Sequence, residues 1–213
     1  MVETEREIFT MEQGSESWFQ VRLTIVTSSH FSDVLNTGSG RATYMWVKIV
    51  EKQQNRCKPT YQSAAMKNGV ENEQHARKFY EDKYHNGKPM EQIGFIRWGQ
   101  IGCSPDGLVD DDGIIEIKCS EGRSHYELML KNESRFEKKV PTTHIPQIQG
   151  NLWITDRKWC DYISYDVWGL NAPFSCIRVD RDNAYIDNIL APACEIFIQE
   201  MNDINQKILK IKC

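Results

Sequence analysis

Ser104-Pro105-Asp106-Gly107-Leu108-Val109-Asp110-Asp111-Asp112-Gly113-Ile114-Ile115-Glu116-Ile117-Lys118 carries the strongest structural signal in the chain. Its second half, Ile114 to Cys119, is apolar except for Glu116 and Lys118, and isoleucine-rich runs of this length predict a strand. Side chains alternate faces along a strand, so Glu116 and Lys118 point one way while Ile115 and Ile117 point the other. A carboxylate and an ammonium on an apolar strand are costly to bury unless they pair or bind something. Asp106, set between a proline and a glycine, brings a second carboxylate to the same region. The acidic segment Asp110–Gly113 predicts a turn joining a Gln100–Cys103 strand to Ile114–Lys118; its aspartates lack the ligand spacing of a calcium loop.

Asp, then Glu-x-Lys on a strand, is the layout of a Mg²⁺-dependent nuclease site. Phosphodiester hydrolysis needs a water deprotonated near neutral pH and charge neutralisation on the leaving oxygen. One or two Mg²⁺ ions held by hard oxygen ligands meet both needs, and Mn²⁺ is an acceptable substitute. Asp106 and Glu116 are suitable ligands, and the Ile117 backbone carbonyl is a third. Lys118 is placed to orient the attacking water, or to deprotonate it if partial burial lowers its pKa against the pull of the nearby carboxylates.

Composition sets the frame. The chain has 213 residues, 40% of them hydrophobic, which predicts one globular domain spanning 1–213. No signal peptide or membrane span is expected, and seven scattered cysteines without a Cys-x-x-Cys pair suit a reduced, cytoplasmic protein better than a disulfide or zinc framework. The net charge of −4 argues at first against nucleic acid, yet residues 41–100 hold 11 Lys/Arg against 6 Asp/Glu. That segment either lines a groove or forms a solvated helix face.

The remaining elements follow from capping and periodicity. Ser15 or Ser17 predicts a helix N-cap ahead of Trp18, and Thr27-Ser28-Ser29 predicts a second helix start. Arg22, in an apolar stretch, either snorkels to the surface, which the pattern favours, or needs a buried partner such as a phosphate. Helices are expected over 42–54, from Gly69 to about Tyr84, over 124–131, from Pro146 onward, and over 185–211 with a break near Pro192. Strands are expected over 91–98, 159–168 and 174–179. Glu73 shares its helix face with Ala76 and Tyr80, so it either pairs with Arg77 one turn on or is a carboxylate aimed at the metal site. The fold class is α/β (α+β mixed), with a central mixed β-sheet flanked by helices.

Taken together, the spaced set Trp18-x-x-x-Arg22-Leu23, Thr27-x-Ser29, Gly69-x-x-x-Glu73, Cys103-Ser-Pro-Asp-Gly-Leu108, Glu116-x-Lys118-Cys119 and Gln147-x-Gln149-x-x-x-Trp153 resembles the lambda-type phage exonucleases. These are viral recombinases of the restriction-endonuclease-like nucleases. The resemblance implies that Asp106 and Glu116 hold the metals, that Lys118 acts on the nucleophilic water, and that Glu73 and Gln147 complete the active site. It implies that Arg22, Ser29 and Ser104 bind a DNA 5′-phosphate, and that Met66 is an apolar wedge separating the strands. It further implies a homotrimeric ring around DNA, 5′-to-3′ digestion of one strand to leave a 3′ single strand, a single-strand annealing protein as partner, and a phage or prophage gene in a bacterial host. Residues 41–63 and 132–141 depart from the family pattern. The competing expectations are a restriction- or resolvase-like endonuclease of the same fold and a non-catalytic DNA-end-binding protein.

Overall fold

The computed structural model describes residues 5–57, 64–119, 122–133, 139–171 and 173–211, with the backbone alone for 64–71. In chain order the elements are β1 (Glu7–Phe9), α1 (Glu16–Val21), β2 (Val26–Thr27), α2 (Phe31–Leu35), α3 (Ser39–Gln54), α4 (Ala64–Tyr84), β3 (Phe95–Trp98), β4 (Ile101–Cys103), β5 (Gly107–Val109), β6 (Gly113–Cys119), α5 (Arg123–Glu133), α6 (Ile145–Thr155), β7 (Trp159–Tyr165), β8 (Phe174–Asp180), the single turn α7 (Asn183–Tyr185), and α8 (Ala191–Leu209). A 3₁₀ turn over Ser28–His30 precedes α2, another over Thr142–His144 precedes α6, and a π-helical turn over Ile186–Leu190 leads into α8. The expected break near Pro192 is therefore this π turn: proline sits in the first turn of α8, where its missing N–H costs nothing.

The strands form two mixed sheets. One has the order β1-β3-β4-β2 and the other β5-β6-β7-β8. In the second, β6 and β7 run parallel while the outer pairs are antiparallel. The parallel pair is bridged by the α5–α6 crossover, as parallel strands require. The fold class read from sequence holds, with one correction to the strand pairing. The aspartate turn closes β5 onto β6, whereas β4 pairs with β3 in the other sheet. Pro105 supplies no N–H to extend β4, and the chain crosses between sheets at Ser104–Asp106. The expected 91–98 strand shortens to β3, because Gly94 lies so close to the Met11 carbonyl that even a Cβ would stand 2.2 Å from it.

Helices α6 and α4 cover opposite faces of the second sheet. Ile114 and Tyr162 share a buried cluster with Ile148 and Leu152 of α6, and this cluster reaches Val26, Ile96 and Ile101 of the first sheet. On the other face Ile115, Ile117 and Ile163 pack on Ala76 and Tyr80 of α4. The alternation read from Ile114–Lys118 thus decides which helix sees which residue: Glu116 and Lys118 face α6.

Candidate active site

The β6 face turned toward α6 carries a connected polar cluster inside the apolar layer. Glu116 is only 2% exposed. Its Oε1 accepts from Lys118 Nζ at 2.7 Å and from Gln147 Nε2 at 2.6 Å, and its Oε2 accepts from Asn151 Nδ2 at 2.9 Å. Lys118 Nζ also donates to Gln147 Oε1 at 3.1 Å. Gln147 and Asn151 lie one turn apart on α6, so a single helix face grips both members of the Glu-x-Lys pair. Next to them, His144 Nδ1 lies 2.9 Å from the Tyr162 hydroxyl. Burial and the Lys118 charge hold the His144 imidazole below its usual pKa.

Asp106 reaches the same strand from its other edge. Its Oδ2 accepts from Ile117 N at 2.5 Å, and its backbone oxygen accepts from Arg77 Nε at 3.0 Å. The carboxyl of Glu73 lies within hydrogen-bonding range of that of Asp106. Arg77 stands 4.0 Å from Glu73, so the helical ion pair expected from sequence is present but loose, and Glu73 meets Asp106 as well. Burial, then Glu73, pushes Asp106 well above the ordinary carboxylate range. Burial likewise raises Glu116, to about 7, even though Lys118 opposes it. Burial alone would lower the Lys118 pKa; the Glu116 charge and hydrogen bond outweigh it, and the net shift is upward. The condition under which Lys118 deprotonates a water is therefore not met in the metal-free cluster, where the side chain is a firmly held cation.

Acidic oxygens that repel each other in a buried place fit a hard divalent cation. Asp106, Glu73 and Glu116 supply that donor chemistry. No three His, Cys, Asp or Glu side chains among the described residues are grouped closely enough to form a finished cage. The reason is visible at Glu116, whose oxygens are turned to Lys118, Gln147 and Asn151.

Two residues before Asp106, Ser104 belongs to a second cluster. Its Oγ accepts from Arg22 NH1 at 3.1 Å and Trp18 Nε1 at 3.2 Å, and donates to the Gly94 carbonyl at 2.7 Å. The Arg22 guanidinium lies 3.8 Å above the Trp18 ring. Burial lowers its pKa to about 10, which leaves it cationic at neutral pH. Among the described residues no carboxylate lies within ion-pair distance of it. Ser29 belongs to the neighbouring turn: its Oγ is 3.2 Å from Thr27 Oγ1, and the Tyr44 hydroxyl accepts from Thr27 N at 3.0 Å. Met66 lies in the stretch of α4 whose side chains are outside the described residues, as do residues 58–63 and 134–138.

The family model that matches is the YqaJ-like viral recombinase domain, over residues 17–158. The chain belongs to the YqaJ-like viral recombinase family. Two solved structures of an alkaline exonuclease from Laribacter hongkongensis, one of them in complex with dAMP, are 32% identical to it. They superpose with TM-scores of 0.83 and 0.79, covering 92% and 93% of this chain and 97% and 100% of theirs. A phage-related exonuclease from Haemophilus somnus 129PT shares the fold at 15% identity, with a TM-score of 0.58 over 84% of this chain and 96% of its own. Comparison with curated proteins gives no match.

Every member of both clusters except Tyr162 falls within the matched span. Sequence reasoning missed Asn151 and Tyr44 as members of this YqaJ-like site. Asn151 had a signal, its i+4 spacing from Gln147; Tyr44 had none, since only the packing of α3 on the Thr27 turn brings its hydroxyl there. Gln149, two residues from Gln147, serves the fold: it donates to Asp180 O and accepts from Asp182 N.

Proposed function

We propose that this protein is a Mg²⁺-dependent 5′-to-3′ exonuclease on double-stranded DNA, acting from 5′-phosphorylated ends to leave a 3′ single strand for recombination by annealing. The observation that carries it is the pairing of two unlike clusters across Ser104-Pro105-Asp106. On one side stands a half-buried arginine with no carboxylate within ion-pair distance among the described residues, on the other a set of repelling carboxylates. Two residues of extended chain span roughly 7 Å at most, so an end held at Arg22 lies beside the hydrolytic residues. The exonuclease relatives, one of them solved with a mononucleotide, support the same assignment.

Asp106, Glu116 and the Ile117 carbonyl would hold the metal, with Glu73 as an auxiliary carboxylate; when bound, Mg²⁺ (or Mn²⁺), as two ions, would supply Lewis acidity toward water and the leaving oxygen. Lys118, anchored by Glu116 and Gln147, orients the attacking water and offsets charge on the scissile phosphate. Gln147 fixes Lys118 and Glu116 relative to each other. Arg22 binds the terminal phosphate through its guanidinium N–H groups, held flat by Trp18 and pinned by Ser104. Because the Ser104 proton goes to Gly94, Ser104 acts chiefly by orienting Arg22, while Ser29 offers a further hydroxyl.

The same assignment carries the assembly the family implies, a ring-shaped homotrimer working with a single-strand annealing protein. Light scattering should then report three times the 24.8 kDa chain mass. The activity test uses linear 5′-phosphorylated duplex and closed circular duplex with Mg²⁺. The linear form should be degraded and the circle spared. Lys118→Ala should lower turnover at least about a hundredfold, the usual scale for a positioned acid–base group, while DNA binding persists. Nicking of the circle would instead identify an endonuclease, and hydrolysis without added or bound metal would remove the metal role.

A further inference from the structure

The Arg22 cluster continues outward into an ordered histidine. The His30 ring stacks on Tyr44, with centroids 4.2 Å apart and planes 14° from parallel. Its Nδ1 lies 2.8 Å from Asp33 Oδ2. Tyr44 is itself fixed, since its hydroxyl accepts from Thr27 N, and burial pushes its pKa up to about 12, so it stays a neutral phenol. His30 is thus held in one orientation by two contacts although its side chain is 48% exposed. Holding an exposed side chain costs conformational entropy, and a carboxylate on one imidazole nitrogen aims the other. Nε2 has no protein partner among the described residues, and it sits on the residue next to Ser29.

We infer that His30 is a specificity-determining ligand for the terminal phosphate, donating from Nε2 while Nδ1–H is given to Asp33. The inference rests on the phosphate-pocket assignment for Arg22. It explains which phosphate is chosen. An internal phosphodiester carries one negative charge, whereas a terminal phosphomonoester carries between about 1.5 and 2 at neutral pH. Arg22 answers the first charge, and His30 adds a second contact to the monoester, its ring bridging phosphate and Asp33. Arg22 alone would accept either kind of phosphate; Arg22 with His30 favours the monoester, and so a strand end.

The test compares apparent KM for duplexes of one sequence bearing a 5′-phosphoryl or a 5′-hydroxyl end. His30→Phe keeps an aromatic face on Tyr44 but has no nitrogen. Hydrogen bonds to charged groups contribute about 1.5–3 kcal/mol, so the phosphoryl-over-hydroxyl preference should fall roughly tenfold or more. Asp33→Asn should lower the same ratio by less, because the ring is then aimed but not bridged to a carboxylate. A His30→Phe enzyme with the wild-type ratio would mean that the ring only props Tyr44, and overturns the inference while leaving Arg22 intact. A wild-type enzyme indifferent to the 5′ group, by contrast, removes the pocket assignment itself, and this inference with it.

Discussion

At the level of single residues, Glu116 makes the protein more stable in acid. Its pKa rises from 4.5 to about 7 on folding, chiefly by burial. A carboxyl raised in the folded state contributes stability that is fully present below the unfolded pKa and is lost as pH rises through the folded value. The window is therefore pH 4.5 to 7, and the loss attributable to Glu116 is on the order of 3 kcal/mol. Urea denaturation in EDTA should show the protein losing stability from pH 5 to pH 8, and Glu116→Gln should flatten that dependence. Mg²⁺ should restore more stability at pH 8 than at pH 5. A metal-free protein that gains stability across this range through Glu116 would contradict the electrostatics. The positions of Glu116 and Lys118 were legible from alternation along one strand, but the direction of the Lys118 shift was not. It depends on a 2.7 Å contact with Glu116 outweighing desolvation, and no pattern encodes that balance. Arg22 shows the same limit: apolar neighbours favoured snorkelling, whereas the fold lays it flat on Trp18 and against Ser104.

Among the elements, α6 ties the two clusters together. It carries Gln147 and Asn151 toward Glu116, and it packs at Gly150 against Phe31, which follows the Ser28–His30 turn. A Cβ at Gly150 would stand 2.4 Å from the Phe31 ring and 3.3 Å from Ser28 Cβ. Gly150→Ala should therefore force α6 and α2 apart. Overpacking of this kind costs about 1–3 kcal/mol, readable as a lower thermal midpoint. Because both clusters hang on that contact, turnover and 5′-phosphate preference should fall together. An alanine variant of unchanged stability would show that the close approach is not tight in solution. Helix α6 was recognisable from Pro146 onward, but its burial on nearly every side was not. Gln149 and Asn151 are polar residues whose burial shows only once their partners are placed.

On the scale of the whole molecule, the decisive feature is the crossing between sheets at Ser104–Asp106. Sequence supplied both ends of that crossing and the mixed α/β class. It misassigned the hairpin, because strand pairing is set by which strands meet in space, and β5 is only three residues long. Under the proposed function the crossing would make end capture and bond cleavage parts of one short backbone segment, and the polarity of digestion would follow from it. Ser104→Ala should loosen Arg22 and weaken the preference for a 5′-phosphate while leaving Asp106 in place, seen as a smaller KM difference between the two kinds of end. Among the described residues no helix is long and apolar enough to cross a membrane.

The most direct test follows a 5′-phosphorylated linear duplex, labelled in separate preparations near the 5′ and the 3′ end of one strand, through a time course with Mg²⁺. Early release of the 5′-proximal label as mononucleotide, with the 3′-proximal label retained until late, is the expected result. Early loss of the 3′-proximal label, or internal fragments carrying either one, would contradict the coupling of the two clusters.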